Sequence, residues 1–395
     1  MKKCYRLFSI ILSISLWCQI LSVATISAHE MPSGISKSEH ILRSIAKDIL
    51  ACESTLPESF SLDSCFELME VDPELAEAVF QHIESIAIPI ECAIEHSPAT
   101  ARSNSSLESM KDGVYVRDGD GGYFVYEEFD DITPNDFEEE TNINNDLIEP
   151  FSIKDYDPVS NPKGNRLTST VCKLFITKDS VPYCASGFFV GNTTIATTAH
   201  SIYNSSWEGS IFSSGWADSG YIIQAYDPSS STAKEPYGRY QIDNKNMAVG
   251  ASWKTTPTPE NDWGVVVLST GTMRGSYSYL FKKQISANDY IGKYITIYGY
   301  PEITGTDPMF YVNGITTNLK SSNFTSNRCI FYTDTSGGDA NGFPGMSGSP
   351  VIDLSGNVIG IFTGLTLNTE ATPSPKRGIC ISFDSWLYQK LKTYE

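Results

Sequence analysis

Three short segments carry side chains whose types and order could perform nucleophilic catalysis. The stretch TTIATTAHSIYN contains His200, ENDWGVVVL contains Asp262, and GFPGMSGSP contains Ser347. A serine hydroxyl becomes a nucleophile only beside a base that takes its proton, and imidazole does this near neutral pH. A carboxylate at the mouth of a packed core could orient that imidazole. The three residues are therefore candidates for a base, its orienting carboxylate and a nucleophile.

Each candidate also has an ordinary structural interpretation. His200 could be a strand-end histidine, Asp262 a strand-start aspartate, and the serine segment a turn-rich loop. Histidine is nonetheless scarce, because only His200 of the five histidines lies after residue 100. If this part of the chain uses a histidine base, that base is His200.

The serine segment also offers donors for a developing oxyanion. The backbone N–H groups of Gly345 and Ser347 are placed to supply them, and losing one such donor costs about a hundred- to thousandfold in rate. Ser349 is the competing nucleophile, but it precedes Pro350 and lacks a glycine two positions earlier.

The segments that must position these residues read as short strands. Apolar runs recur between clusters of Gly, Pro, Ser and Asn, which is typical of a β-sandwich or barrel. A single helix, FDSWLYQKLKTYE with Asp384 as its N-cap, is predicted to close the chain. The predicted strands lie in TVCKLFI, ASGFFV, TTIATTA, GYIIQAY, WGVVVLS, YITIYGY, NRCIFYT, SPVID and NVIGIFTG.

The segments TAH, DWGVVVL and GMSGSPV follow one another in the order His, Asp, Ser. In these three segments and their order, the sequence resembles the trypsin-like serine peptidases with a chymotrypsin-type double β-barrel. GYP at 299–301 and SGSPVIDLSGNVIGI at 347–361 make the bacterial glutamyl endopeptidases the closer resemblance. The resemblance covers about residues 155–395.

The resemblance implies roles for individual residues. His200 becomes the general base, Asp262 its orienting partner, Ser347 the nucleophile, and Gly345 with Ser347 the oxyanion donors. It also implies that Phe362, Thr363 and Gly364 line the substrate groove, although Phe362 could instead be core. No cofactor or metal is expected, because the chain has no HExxH segment and the domain has one histidine.

The sequence departs from this family at its primary specificity pocket and at its cysteines. Glutamyl endopeptidases have a pocket histidine where this chain has Phe362, so glutamate preference is not expected. Asn341 stands where a trypsin-like pocket has an aspartate, and Asp339 could still reach that pocket. Where a cysteine often follows the catalytic histidine, this chain has Ser201.

Two disulfides are expected from the strand pattern. VCKLFITKDSVPYCASG reads as a hairpin centred near Lys178, which would place Cys172 opposite Cys184. Cys329 and Cys380, in strands flanking the serine segment, are the second candidate pair. Buried thiols are the alternative for all four.

Charge divides the chain into two parts with different expected roles. Residues 29–150 carry 28 acidic and 6 basic side chains, a net charge of −22, whereas residues 151–395 carry 19 of each. Residues 1–28 are basic, then apolar, and end in small residues, which predicts a secretory signal peptide and a secreted protein. The formal charge of −19 argues against nucleic-acid binding.

Residues 29–150 are predicted to form a small α+β acidic propeptide. Ser36 and Glu39 have capping-box spacing, Asp72 and Pro73 begin a helix, and GVYVRDGDGGYFVYEEF reads as two strands around an Asp/Gly turn. That turn is too short for a calcium loop. An acidic linker follows, and a freed N-terminus is expected somewhere in 148–155. A permanently attached acidic domain is the alternative.

These observations together predict a secreted serine endopeptidase at 151–395, made as a zymogen. Its expected partners are protein or peptide substrates and its own propeptide, with no nucleic acid and no stable membrane association, and we expect a monomer. The alternative is a catalytically retired peptidase fold that serves as a binding or adhesion module.

Overall fold

The computed structural model describes residues 37–90, 93–94, 113–119, 121–126, 156–204, 215–230, 234–255, 257–275, 290–302, 308–317, 328–366 and 377–394. The predicted signal peptide, Ser36 of the capping box, and the acidic linker lie outside these residues. No helix in the described part is long and apolar enough to cross a membrane. The helices are α1 (Lys37–Leu50), α2 (Leu62–Val71), α3 (Pro73–Ile86), α4 (Ala251–Thr255) and α5 (Ser385–Lys392).

The strands are numbered in chain order. They are β1 (Ile88–Pro89), β2 (Ala93–Ile94), β3 (Gly113–Asp118), β4 (Gly121–Tyr126), β5 (Tyr156–Pro158), β6 (Val171–Lys178), β7 (Val181–Phe189), β8 (Thr194–Thr197), β9 (Tyr203–Asn204), β10 (Gly215–Trp216), β11 (Ser219–Gln224), β12 (Arg239–Gly250), β13 (Gly264–Leu268), β14 (Tyr294–Gly299), β15 (Phe310–Thr317), β16 (Cys329–Thr333), β17 (Pro350–Asp353), β18 (Val358–Thr366) and β19 (Gly378–Ser382).

Twelve of these strands close into two antiparallel barrels of six. The first barrel has the order β11-β6-β7-β8-β13-β12 and closes through β11 and β12. The second has the order β14-β17-β18-β19-β16-β15 and closes through β14 and β15. Closure leaves neither barrel with an unpaired edge strand of its own. The double β-barrel predicted from the sequence is confirmed.

The C-terminal helix α5 closes the fold as predicted. The Asp384 carboxylate accepts a hydrogen bond from the backbone N–H of Leu387 at 2.9 Å, which satisfies one of the orphan donors at the helix start. Leu387 and Leu391 are buried in a cluster that also contains Ile352 and Ile361 of the second barrel. The helix is therefore fixed at one end by its cap and along one face by apolar packing.

The acidic N-terminal region is bonded to both barrels. The hairpin of β3 and β4, predicted from the sequence, extends the first barrel's sheet because β3 pairs antiparallel with β12. Strand β1 pairs parallel with β7, and β2 pairs parallel with β18 of the second barrel. Helix α3 begins at the predicted cap, where Asp72 accepts from the Leu75 N–H at 3.1 Å. This region therefore contributes strands to both sheets.

The helices α1 to α3 pack on the outside of the first barrel. Phe80 of α3 is fully buried, and its ring meets the Tyr221 ring edge-on at 5.2 Å between centroids. The Arg239 guanidinium lies over the same Phe80 ring at 4.6 Å and bonds to Glu77 at 2.7 Å and Glu84 at 3.0 Å. Burying one such aromatic side chain contributes about 1.5–3 kcal/mol. This interface holds α3, and the chain that leaves it, against the barrel.

The predicted disulfide between Cys172 and Cys184 is absent. Asp179 and Ser180 form a two-residue turn with φ of 51° and 63°, so that Lys178 pairs with Val181. This turn shifts the register from the predicted one, and Cys172 lies opposite Gly187. Cys172 packs inside the barrel, whereas Cys184 packs in the cluster formed with the helices.

The second predicted disulfide is absent for a similar reason. In the pairing of β16 with β19, Cys329 lies opposite Ile381, and Cys380 lies opposite Ile330. The two cysteines are one residue out of register, so their side chains point to opposite faces of the sheet. Both are unbridged thiols, and burial raises the pKa of each.

Candidate active site

His200 and Asp262 meet because their strands are neighbours in the first barrel. Strands β8 and β13 pair antiparallel, with Thr197 opposite Gly264. His200 follows β8 by three residues and Asp262 precedes β13 by two, so both lie beyond the same end of the strand pair. Each sits at a short 3₁₀ turn, 199–201 and 259–261, which directs the chain back over the barrel end.

The carboxylate of Asp262 holds His200 through both of its oxygens. Oδ2 lies 2.6 Å from the imidazole Nδ1, and Oδ1 accepts the backbone N–H of His200 at 2.8 Å. The two side chains are only 2% and 5% exposed. This arrangement fixes the ring orientation and favours the tautomer with hydrogen on Nδ1, which leaves Nε2 available as a proton acceptor.

Burial raises the pKa of Asp262 above its ordinary value, while the nearby His200 opposes that shift. A carboxylate taken out of water is stabilised as an anion only by the donors around it. Asp262 has two such donors on His200, one from the ring and one from the backbone. The charge that forms on the ring during proton transfer is therefore matched by a fixed neighbour.

The other ring nitrogen of His200 has one hydroxyl group nearby. The Thr198 Oγ1 lies 3.5 Å from Nε2 and 2.6 Å from Ser201 Oγ. The Trp253 ring lies near the imidazole, with 6.4 Å between the ring centroids. Among the described residues, the polar contact of Nε2 is therefore one hydroxyl at the limit of a hydrogen bond.

The serine segment is pressed against the first barrel beside β8. Gly348 has φ of +91°, and a Cβ there would lie 2.1 Å from the Ser186 carbonyl oxygen and 2.3 Å from Thr197 Oγ1. Ser186 also donates its backbone N–H to the Ser347 carbonyl at 2.9 Å. Only glycine allows this close approach. The nucleophile candidate thus lies next to the strand end that carries His200.

Ser186 connects the two barrels at this point through its side chain as well. Its Oγ donates to the Gly345 carbonyl at 2.8 Å and accepts the Tyr300 backbone N–H at 2.9 Å. Its carbonyl accepts from Thr197 Oγ1 at 2.8 Å. Ser186 could not be predicted as a site residue, because a small polar residue inside an apolar strand gives no catalytic signal.

Ser347 itself is buried and makes one weak side-chain contact. Its Oγ lies 3.5 Å from the Thr363 carbonyl oxygen, at the limit of a hydrogen bond, and the residue is 2% exposed. Its backbone N–H donates to no residue in the described part of the chain. The Gly345 N–H donates to the Ile90 carbonyl at 3.1 Å. Of the two candidate oxyanion donors, one is occupied by the chain's own backbone.

Ser349, the competing nucleophile, has its side chain beside β14. It is fully buried, and its Oγ would lie 1.9 Å from a Cβ at Gly299 of β14. Its hydroxyl has no partner among the described residues. Ser347 instead precedes Gly348, which contacts Thr197 at the end of β8.

The predicted groove residues occupy different environments. Phe362 is 2% exposed and packs in the second barrel's core, which agrees with the alternative that it is a core residue. Thr363 donates its hydroxyl to the Ile379 carbonyl at 3.1 Å. Gly364 follows a register shift in β18, where the strand bends beside Ser347. Asp339 is exposed, and Asn341 accepts the Tyr332 hydroxyl at 2.6 Å through its backbone carbonyl.

Comparison with known proteins agrees with this geometry. Residues 185–361, which include all three candidates, match the family model described as a trypsin-like peptidase domain. No curated protein matches the chain. The described residues contain no group of three or more His, Cys, Asp or Glu that could hold a metal.

Three solved structures are similar over most of their own length. A Glu endopeptidase in complex with MPD is 17% identical to this chain, with a TM-score of 0.46. The match covers 60% of this chain and 95% of the Glu endopeptidase chain. The protease Anisep from Arthrobacter nicotinovorans is 16% identical, with 60% and 98% coverage and a TM-score of 0.42. A thermostable serine protease, AL20, from an extremophilic microorganism is 19% identical, with 57% and 98% coverage and a TM-score of 0.41. Residues 185–361 match the sequence signature of a trypsin-like peptidase domain, in a chain whose strands form two six-stranded barrels.

Proposed function

We propose that this protein is a serine endopeptidase with His200 as general base, Asp262 as its orienting carboxylate and Ser347 as nucleophile. The observation that carries the proposal is the buried His200–Asp262 pair, 2.6 Å apart, at the barrel end against which the Ser347 segment is packed. A serine peptidase needs this combination, because the hydroxyl attacks only when a fixed imidazole removes its proton.

The chemistry follows from these positions. Ser347 Oγ bonds to the peptide carbonyl carbon while its proton moves to His200 Nε2, and the carbonyl oxygen becomes an oxyanion held by the Gly345 and Ser347 N–H groups. The C–N bond then breaks, and the amine leaves with the proton from Nε2. Water attacks the acyl-enzyme by the same route, which releases the carboxyl product and restores Ser347.

We further propose that the protein is secreted and made as a zymogen. The basic and apolar residues 1–28 support export, and the acidic residues 29–150 form the propeptide. The acidic linker supports a maturation cut in 148–155. The N-terminal contacts with both barrels, described above, support a role of this region in controlling the site rather than a separate function.

The primary specificity is proposed to differ from that of glutamyl endopeptidases. The side chains around Phe362 in the second barrel's core include Met346, Ala340, Tyr332 and Leu365, and all are apolar or aromatic. The chain has no histidine after His200 that could take the place of the pocket histidine of glutamyl endopeptidases and neutralise a buried substrate carboxylate. We expect cleavage after apolar residues in place of cleavage after glutamate.

Digestion of a peptide library tests the proposal. The full chain would carry an inserted recognition site within 148–155, so that it folds intact before an added peptidase cuts it. New peptide termini would be read by mass spectrometry with this protein and with its Ser347→Ala twin. We expect cuts that vanish in the twin and follow apolar residues; cuts that persist in the twin would reject Ser347 as nucleophile.

The alternative, a retired peptidase fold used for binding, draws on one observation. Ser347 Oγ contacts the Thr363 carbonyl, and His200 Nε2 contacts Thr198, so the two candidate groups are not hydrogen-bonded to each other. In unliganded sites this bond is often long and tightens only with substrate. The alternative predicts no cleavage by the cut protein at any tested sequence.

A further inference from the structure

The chain that leaves helix α3 runs directly over the candidate active site. Ile88 pairs with Tyr183 and Pro89 with Cys184, in parallel, beside the first half of β7. The Ile90 N–H donates to the Cys184 carbonyl at 2.9 Å. The next backbone group, the Ile90 carbonyl, accepts the Gly345 N–H at 3.1 Å. A carbonyl of the chain therefore binds a candidate oxyanion donor.

Residues 93 and 94 pair with the second barrel. Ala93 pairs with Leu365 and Ile94 with Thr366 of β18, again in parallel. These positions begin two residues after Thr363, whose carbonyl lies 3.5 Å from the Ser347 hydroxyl. Residues 88–90 therefore contact the first barrel and Gly345, and residues 93–94 pair with the second barrel near Ser347.

The direction of this segment is opposite to that required of a substrate. In the proposed reaction the leaving amine must face His200 to receive its proton, so the residues after the cut lie along the first barrel. The residues before the cut then lie along β18 of the second barrel. A substrate runs from β18 to β7, whereas residues 88–94 run from β7 to β18.

We propose that residues 88–90 on the first barrel and 93–94 on the second occupy the substrate groove in reverse and keep the uncut protein inactive without being cleaved. This proposal rests on the proposed function and deepens it by naming the regulator of the same site. The Ile90 carbonyl takes the Gly345 N–H, one of the two candidate oxyanion donors. A chain that runs from β7 at 88–89 to β18 at 93–94 presents the side of its peptide bonds that would leave to the second barrel and not to His200, so attack on this carbonyl is not expected to lead to cleavage.

The side chains of the segment differ in a way that supplies a matched pair of variants. Ile90 is 1% exposed and packs in the first barrel's core cluster, whereas Ile88 is 40% exposed. Replacing Ile90 with aspartate places a charge in an apolar cluster and expels the segment. The same replacement at Ile88 changes the same segment by the same charge at an exposed position.

The rate at which a serine-directed phosphonate labels Ser347 in the uncut chain tests the proposal. Four proteins would be compared by intact mass: the uncut chain, its Ile90→Asp and Ile88→Asp variants, and the chain cut within 148–155. We expect slow labelling of the uncut chain and of Ile88→Asp. Ile90→Asp should react about 10- to 100-fold faster, the change in open population expected when one buried isoleucine is lost.

Two results would overturn the proposal. In the first, the uncut chain is labelled as fast as the cut chain. In the second, the cut chain is labelled but Ile90→Asp is labelled no faster than the uncut chain. If the cut chain does not react at all, the proposed function fails instead. Hydrogen exchange at the Gly345 amide then separates the two ideas, since protection in the uncut chain reports the Ile90 contact without any activity. Should Ile90→Asp unfold, Ile90→Ala tests the same anchor with a smaller expected gain.

Discussion

The two halves of the candidate site differ in how completely they are assembled. The His200–Asp262 half lies within one barrel and has bonds of 2.6 Å and 2.8 Å between its members. The Ser347 half lies on the second barrel, has one side-chain contact at 3.5 Å, and shares its Gly345 donor with Ile90. The candidate base is therefore positioned by the fold of a single barrel, whereas the candidate nucleophile depends on both barrels and on the N-terminal segment.

This difference indicates where the candidate site can be regulated with the smallest loss of folding stability. Strand pairing between β8 and β13 fixes the base and cannot change without breaking the first barrel. The serine segment is a loop between elements, and loops near a site rearrange more easily than paired strands. Under our proposal, occupying one oxyanion donor there would silence the site while leaving both barrels intact.

Loss of the charge on Asp262 should have the largest effect on kcat. Asp262→Asn keeps the shape but removes the carboxylate that holds the Nδ1–H tautomer of His200. We expect kcat to fall by about 10⁴-fold in the cut protein, the loss that this change causes in a serine triad. Asp218→Asn, on the exposed side of the same barrel, is the control and should leave kcat unchanged. Comparable losses in both variants would mean that the effect is structural.

A side chain at Gly345 should disturb the serine half selectively. A Cβ there would lie 2.6 Å from the Tyr300 carbonyl oxygen, and the residue has φ of +88°. Gly345→Ala should therefore move the oxyanion donor and lower kcat by about 10²- to 10³-fold with little change in KM. Gly337→Ala is the matched control, because Gly337 has φ of +85° and nothing within 4 Å of the added Cβ. Steady-state kinetics on the cut protein would distinguish them.

Ser186 should act as a positioning residue between the halves. Ser186→Ala leaves the Tyr300 N–H and the Gly345 carbonyl without their buried partner. We expect a loss of about 1–3 kcal/mol in unfolding free energy, and a fall in kcat larger than any rise in KM. Ser349→Ala, a buried serine whose hydroxyl has no partner among the described residues, is the control. A rise in KM alone would argue against a positioning role.

The smallest predicted effect is a change in stability with pH, and it concerns the contact that holds α3 to the first barrel. Glu77, Glu84 and Glu235 surround the single guanidinium of Arg239. Burial raises the pKa of Glu235 to about 8. A carboxyl group whose pKa is raised on folding adds stability at pH values below its pKa in the unfolded chain. This stability is lost as the pH rises through its pKa in the folded chain. We therefore expect the uncut chain to become less stable between pH 4.5 and 8.

The Glu235→Gln variant should reduce this pH dependence, since the amide does not titrate. Thermal unfolding measured at several pH values between 4.5 and 8 would compare the two proteins. An equally steep slope in Glu235→Gln would assign the dependence to other groups.

Much of the fold could be predicted from the sequence, because apolar runs between turn residues mark most strands. Each of the nine predicted runs overlaps a strand of the structure. Three barrel strands, β12, β15 and β19, were missed; the centre of β12 is polar, and its pairing with β13 shifts between Asp243 and Met247. The disulfide prediction failed because the Asp179–Ser180 turn sets a register that the cysteine spacing does not reveal.

The candidate site was predictable to the extent that its residues carry distinctive side chains. His200, Asp262 and Ser347 stand out by type and order, and the structure brings their segments together. Ser186 and Ile90 act through hydrogen bonds that join residues far apart in the chain, and in Ile90 both bonds come from the backbone. A backbone carbonyl is the same in every residue, so no sequence pattern could have marked Ile90.

Identification of the residue that a phosphonate modifies tests the central claim most directly. The full chain, its Ser347→Ala variant and its Ser349→Ala variant would be cut within 148–155, treated with the reagent and analysed by peptide mass spectrometry. Our account predicts one adduct on Ser347, lost in Ser347→Ala and retained in Ser349→Ala. A folded, cut protein that forms no adduct, or an adduct that survives in Ser347→Ala, would contradict it.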